Sequence, residues 1–357
     1  MTRETALHLT THPGLEDVVV AEFRERARAA GLSGAAVRAA PSGFRGRVEV
    51  AAPWPERELV ALVRRLRSIH HVLRPVLQLE VAPGEELAAL DAALRRAEIP
   101  GLGPATSFRI TPTRHGHHDF TSMDLARVAG AAVQAATGAP VDLEGFAVEI
   151  RVDLVERDLA VAVQLTREPL SRRFEKIYGQ RVSLMADMAY AMLRLAGRPE
   201  AGAALLDPFC GSGTILLEAG AVWPGVRRVG SDRDPRAVEG TWRNLVHNRL
   251  EAGARVVRAD ARALPRELGE RDFARIVTNP PFGRLLGTRL RFFDFYARFL
   301  DAAAAVLRRD GRMVLLAQRR DALRAAVARH GGFRIVHARV VDMSRLFVGL
   351  FVLARRG

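Results

Sequence analysis

From residue 203 onward, short apolar runs fall near 203–207, 226–231, 254–258, 274–278, 312–317, 333–341 and 346–354. Helical stretches separate all but the last two. Strands alternating with helices predict a parallel sheet covered on both faces. The short gap before the final run predicts a hairpin, so that one strand runs antiparallel. Seven strands in this order suit a Rossmann-like α/β sheet. Such sheets bind ligands at the carboxyl ends of their strands, so those ends are where chemistry is expected.

Four consecutive strand ends carry polar residues. The first lies in "LLDPFCGSGTILLEAG", Leu205 to Gly220, which reads as strand, glycine loop and helix. Gly211 and Gly213 allow a tight turn and leave room for a ligand. A bare Gly-x-Gly also suits a dinucleotide site, but Leu216 stands where the third glycine of that fingerprint would be. Asp232 follows the second strand, 21 residues after Gly211, and can accept two ribose hydroxyls. Asp260 closes the third strand in "VVRAD" and can accept from an adenine amine. The fourth ends in "TNPPFG", Thr278 to Gly283, where two prolines that cannot donate to a sheet follow an amide. Each residue also has a plainer reading. Asp207 can cap its loop, Asp234 has the position of a helix cap, and Phe282 can be core. Cys210 sits inside the glycine loop and is not expected to act as a nucleophile. The histidines show no metal-ligand spacing, so no metal is expected.

The N-terminal half reads as α+β. Strands at 6–9, 47–50 and 76–81 alternate with helices at 14–30 and 56–67, and Pro83-Gly84 breaks the pattern. From Glu85 the order is helix, strand, helix, strand, strand, with Ser122 as a candidate cap and Glu156-Arg157-Asp158 as a hairpin turn. Residues 167–181 read as a linker holding Arg172, Arg173, Lys176 and Arg181. Charge separates the halves. Residues 1–180 balance 23 basic against 23 acidic side chains, whereas 181–357 hold 31 and 17, which is the whole net charge of +14. A basic domain fits a polyanionic partner such as nucleic acid, or simply an arginine-rich surface. One cysteine excludes an intramolecular disulfide, and no apolar run is long enough to span a membrane. The opening residues do not form a signal peptide. A cytoplasmic protein is expected.

At this point the motifs resemble a known family. "DPFCGSGT" (Asp207–Thr214) together with "NPPF" (Asn279–Phe282) resembles class I S-adenosylmethionine-dependent methyltransferases that act on exocyclic amines. These include DNA and RNA amino-methylating enzymes and protein-glutamine methyltransferases. The N-terminal half, with "RHGHHDFTS" and "VAVQLTREPLSRRF", looks like a THUMP domain preceded by a ferredoxin-like domain. The likeness covers almost the whole chain. It is closest to the tRNA guanine-N2 methyltransferases that modify guanosine 6 of the acceptor stem.

The resemblance implies a ferredoxin-like domain at 1–82, a THUMP domain at 83–166, a linker at 167–181 and a methyltransferase domain at 182–357. It implies S-adenosylmethionine as cofactor, held by Asp207, Phe209, Gly211, Gly213, Thr214, Asp232, Arg233, Asp260, Ala261 and Asn279. Asn279, Pro280 and Phe282 would be catalytic: the amide oxygen and the Pro280 carbonyl accept the two amine hydrogens, and Phe282 stacks on the base. The partner implied is tRNA, its 3′ end held by the THUMP unit and its base flipped from the stem. Arg172, Arg173 and Lys176 are candidate RNA contacts on a chain acting as a monomer without metal or membrane. Arg233 departs from the pattern, standing where relatives place an aliphatic residue, and Cys210 stands where threonine is common. Two other readings stay open. One is an rRNA guanine-N2 methyltransferase; the other is an RNA-binding protein with an inactive methyltransferase fold.

Overall fold

The computed structural model describes residues 4–179, 183–281, 292–343 and 346–356. It divides into two compact units, one of Met1–Thr11 and Val19–Leu170, the other of His12–Val18 and Ser171–Gly357.

The first unit is built on one seven-stranded sheet. Its elements are β1 (Thr5–Thr10), α1 (Glu16–Ala29), β2 (Ala36–Ala39), β3 (Arg47–Ala52), α2 (Glu56–Val63), β4 (Val72–Glu80), α3 (Glu86–Leu94), β5 (Phe108–His115), α4 (Ser122–Thr137), β6 (Val148–Val155) and β7 (Asp158–Gln164). The sheet order is β2-β3-β1-β4-β7-β6-β5. β4 and β7 pair antiparallel from Leu73 opposite Gln164 to Glu80 opposite Asp158, so the early strands and the later ones share a continuous ladder. Two differences from the sequence reading are local. β2 lies at the sheet edge and is mostly exposed, so its four residues give no apolar signal. The cap of α4 is Thr121 and not Ser122. Thr121 accepts from the Asp124 N–H, and Asp124 reaches back to the Thr121 N–H, a reciprocal capping box.

The second unit holds the predicted α/β sheet. Its elements are α5 (Ala186–Ala196), β8 (Ala204–Asp207), α6 (Thr214–Val222), β9 (Arg227–Asp232), α7 (Pro235–His247), β10 (Ala254–Arg258), α8 (Leu264–Glu267), β11 (Phe273–Thr278), α9 (Phe292–Val306), β12 (Leu307–Ala317), α10 (Arg320–His330), β13 (Phe333–Asp342) and β14 (Phe347–Arg355). The order is β10-β9-β8-β11-β12-β14-β13. β8 to β12 are mutually parallel, and β14 inserts antiparallel between β12 and β13. Two apolar clusters cover the two faces, one around Met192, Leu216 and Leu245, the other around Phe273, Tyr296 and Phe299. β8 is buried at every position, as a central parallel strand must be. Sequence order reverses at β8, whose neighbours are β9 and β11, and that reversal opens a crevice at their carboxyl ends. Among the described residues no helix is long and apolar enough to cross a membrane.

Candidate active site

The crevice is assembled by two strand ends and one loop. β8 ends in Asp207, and β11 ends in Thr278 followed by Asn279 and Pro280. Thr278 Oγ1 donates to Asp207 Oδ1 at 2.7 Å, with both side chains buried. The same oxygen accepts from the Phe209 N–H at 3.2 Å. Burial pushes the Asp207 carboxyl up to about 7; the Thr278 and Phe209 hydrogen bonds oppose the rise, and nearby Asp232 adds to it. A carboxylate in this state charges readily when a cation arrives.

The glycine loop then turns in two left-handed steps, at Gly211 (φ 55°) and Gly213 (φ 81°). A Cβ at Gly213 would lie 2.9 Å from Thr241 Cγ2, so conformation and space both demand glycine there. Asp232, at the end of β9, braces the loop: its Oδ2 accepts from the Gly211 N–H at 3.2 Å and its Oδ1 from the Asp234 N–H at 3.0 Å. Thr241 Oγ1 donates to the Gly211 carbonyl at 2.8 Å. Asp234 caps α7 through the Arg236 N–H, as its position in the sequence suggested. Cys210 is buried, and burial raises its thiol well above the ordinary value, which leaves it a poor nucleophile.

Asn279 carries the most informative atom. Its Oδ1 is buried and accepts no hydrogen bond among the described residues. A buried carbonyl oxygen left unpaired costs roughly 1–3 kcal/mol, and buried polar groups of this kind call for an explanation. The acceptor faces no competing N–H from the next residue, because Pro280 has none.

The remaining expected site residues are distributed as follows. Thr214 opens α6 with its hydroxyl donating to the Leu184 carbonyl at 3.1 Å. The Phe209 ring packs against Phe295 and Phe299 of α9, at 5.8 and 5.3 Å between centroids, so much of it belongs to the core. Asp260 is gripped by Arg262, Nε to Oδ1 at 2.9 Å and Nη2 to Oδ2 at 2.6 Å, which holds its carboxyl below the usual range. That pair is partly exposed and yields cheaply to another donor. Ala261 is buried and Arg233 exposed. Phe282 lies outside the described residues. Of the candidate RNA contacts, Arg172 is exposed, whereas Arg173 turns to buried Glu218 at 3.8 Å. Lys176 turns inward, its ammonium on the hydroxyls of Ser183, Ser212 and Thr214.

One residue of the frame went unread in the sequence. Asn244 is fully buried on α7, donates to the carbonyls of Tyr178 (2.8 Å) and Ser212 (2.9 Å), and accepts from the Tyr178 N–H at 2.9 Å. It ties the segment before α5 to the glycine loop. The available signal was an amide on the same helix face as Ala237, Gly240 and Thr241, all buried.

Two family models match: the THUMP domain over residues 88–164 and the RMKL-like methyltransferase domain over 173–348. The chain is 39% identical over 361 residues to a tRNA (guanine(6)-N2)-methyltransferase of Thermus thermophilus, covering 98% of this chain and 99% of that one. An Archaeoglobus fulgidus protein of the same name is 29% identical, covering 97% and 91%. The crystal structure of TrmN from Thermus thermophilus superposes with a TM-score of 0.79 at 37% identity, covering 99% of this chain and all 100% of that one.

Proposed function

The chain belongs to the THUMP-containing, S-adenosylmethionine-dependent tRNA guanine-N2 methyltransferase family, and on that premise we propose that it methylates the N2 amine of guanosine 6 in tRNA. The observation that carries this reading is the buried Oδ1 of Asn279, without a partner among the described residues, beside the β8–β11 crevice. A planar exocyclic amine supplies the N–H that this oxygen lacks.

The residues present suit the cofactor. The left-handed loop leaves no room for a Cβ at Gly213 and keeps backbone close to the crevice, and Asp207 and Asp232 suit a cationic, ribose-bearing molecule. S-adenosylmethionine, when bound, supplies a sulfonium methyl that is already strongly electrophilic. The protein's task is therefore alignment. Guanine N2 is a weak nucleophile because its lone pair is delocalised into the ring. Asn279 Oδ1 and the Pro280 carbonyl accept its two hydrogens, fix the amine and favour a lone pair directed at the methyl. Pro280 and Pro281 hold that geometry rigidly. Among the residues of "TNPPFG" none is a base, so the positioned amide acts through orientation and polarisation.

A guanine within an acceptor stem must leave the stack, at a cost of a few kcal/mol. Phosphate contacts from the half of the chain that carries the net +14 offset this. The THUMP domain grips the 3′ end of the tRNA and sets the distance to the pocket, with residues 1–82, 83–166 and 182–357 as the working domains of a cytoplasmic monomer. Incubating the purified protein with unmodified tRNA and rRNA transcripts tests the choice of RNA. N2-methylguanosine is expected in tRNA alone; its appearance only in rRNA would reassign the substrate.

Asp207 makes a pH prediction. Cationic cofactor favours its ionised form, so binding needs the carboxyl deprotonated. The Asp207 contribution to affinity is then complete above pH 7 and falls by up to about tenfold per pH unit as pH drops below it. Asp207→Asn is expected to bind more weakly at pH 8 and to lose this acid limb. Titration calorimetry from pH 5.5 to 8.5 reads both; an acid limb that persists in the variant would show that another group titrates.

A further inference from the structure

Lys176 is the only lysine among 54 basic residues. Its ammonium meets the hydroxyls of Ser183 at 2.8 Å, Ser212 at 3.3 Å and Thr214 at 2.5 Å. Ser183 and Ser212 share a further bond at 2.8 Å. Among the described residues no carboxylate pairs with this lysine. Arg173, three residues earlier in the chain, already faces Glu218. Burial alone pulls the Lys176 ammonium down to about 8. A partly desolvated cation held only by neutral oxygens is costly to keep and lacks a counter-charge. A compact ammonium fits a basket of three hydroxyls that a planar guanidinium does not.

Two members of that basket, Ser212 and Thr214, belong to the glycine loop itself. The Asp207 and Asp232 carboxylates that line the loop suit the cationic and ribose-bearing parts of the cofactor and repel its one anion. Arg233, the residue after Asp232, is exposed. We propose that Lys176, with the hydroxyl of Ser212, anchors the α-carboxylate of the cofactor's methionyl end. The residue expected from charge patterning to touch RNA phosphate is thus a cofactor-binding residue. This rests on the reading of the crevice as the S-adenosylmethionine site.

Decarboxylated S-adenosylmethionine, which keeps the sulfonium and the amine but has no carboxylate, separates anchoring from scaffolding. By calorimetry the wild-type protein is expected to bind S-adenosylmethionine roughly ten- to a hundred-fold more tightly than the decarboxylated analogue, the worth of a charge-assisted contact. That comparison needs no variant. Lys176→Met is expected to remove the preference by weakening the first ligand and leaving the second within about twofold, and Lys176→Arg to restore part of it. A wild-type protein that binds both ligands equally, or a Lys176→Met protein that loses both in equal measure, overturns the proposal: the lysine then only holds the loop together. A wild-type protein that binds neither overturns the cofactor site, and the anchor with it.

Discussion

Asn279→Ala lowers kcat for methyl transfer by roughly a hundred- to a thousand-fold or more, the range seen when one preorganised polar contact to a reacting group is lost. The tRNA affinity of the variant stays within about threefold of wild type, because the amide acts on the amine and not on the RNA backbone. The substitution deletes a buried side-chain acceptor after β11 that has no partner among the described residues. It also relieves the cost of burying that acceptor, so the variant is at least as stable as the parent. Single-turnover kinetics with saturating cofactor, alongside a filter-binding isotherm, read the two quantities separately. A variant that turns over at near-wild-type rate contradicts the amide mechanism. A variant that loses tRNA binding in proportion to rate assigns Asn279 to recognition.

Asn244→Leu is expected to cost about 3 kcal/mol or more of stability and to weaken cofactor binding at the same time. Leucine keeps the branched skeleton of asparagine but is bulkier, so no cavity opens; the loss comes from three abandoned backbone groups, the Tyr178 N–H, the Tyr178 carbonyl and the Ser212 carbonyl, with crowding added to it. The site offers little slack for repair. Tyr178 packs so tightly on α7 that a Cβ at Gly240 would fall 2.1 Å from its ring. Loss of the tie frees the segment that carries Lys176 from the glycine loop. A thermal shift assay should record a fall of roughly 6–12 °C. A change under about 1 kcal/mol, with cofactor affinity intact, would mean that the backbone groups find other partners and that Asn244 is not the tie described.

What the sequence disclosed, and what it withheld, divides along the range of the interactions. Strand and helix positions in the second unit follow from local apolar runs, and the close pair β13 and β14 had to be a hairpin because no helix separates them. The strand ends were equally legible. Pro280 and Pro281 cannot extend a ladder, and Gly211 and Gly213 mark a turn that the structure makes with positive φ at both. Lys176 was not legible. In the sequence it stands in a basic stretch that looks solvated, but its partners lie 7, 36 and 38 residues away. The state of Asp207 is set by its burial and opposed by Thr278, 71 residues distant, because β8 and β11 are neighbours in the sheet. Asn244 acts across separations of 66 and 32 residues. Periodicity reports which face of an element is buried, but not which distant groups meet there. The edge strand β2 shows the complementary limit: with little of it buried, there was no pattern to read.

The central claim is that the acceptor is the N2 amine of guanosine 6 in tRNA, and a single atomic substitution in the RNA addresses it. A tRNA transcript carrying inosine in place of guanosine 6 keeps the ring, the Watson–Crick carbonyl and the backbone but has no exocyclic amine. With radiolabelled S-adenosylmethionine and the purified protein, the guanosine transcript should take up label that nuclease mapping places at position 6, while the inosine transcript binds with similar affinity and takes up none. Label incorporated equally into both transcripts, or mapped to another nucleotide, would contradict the account.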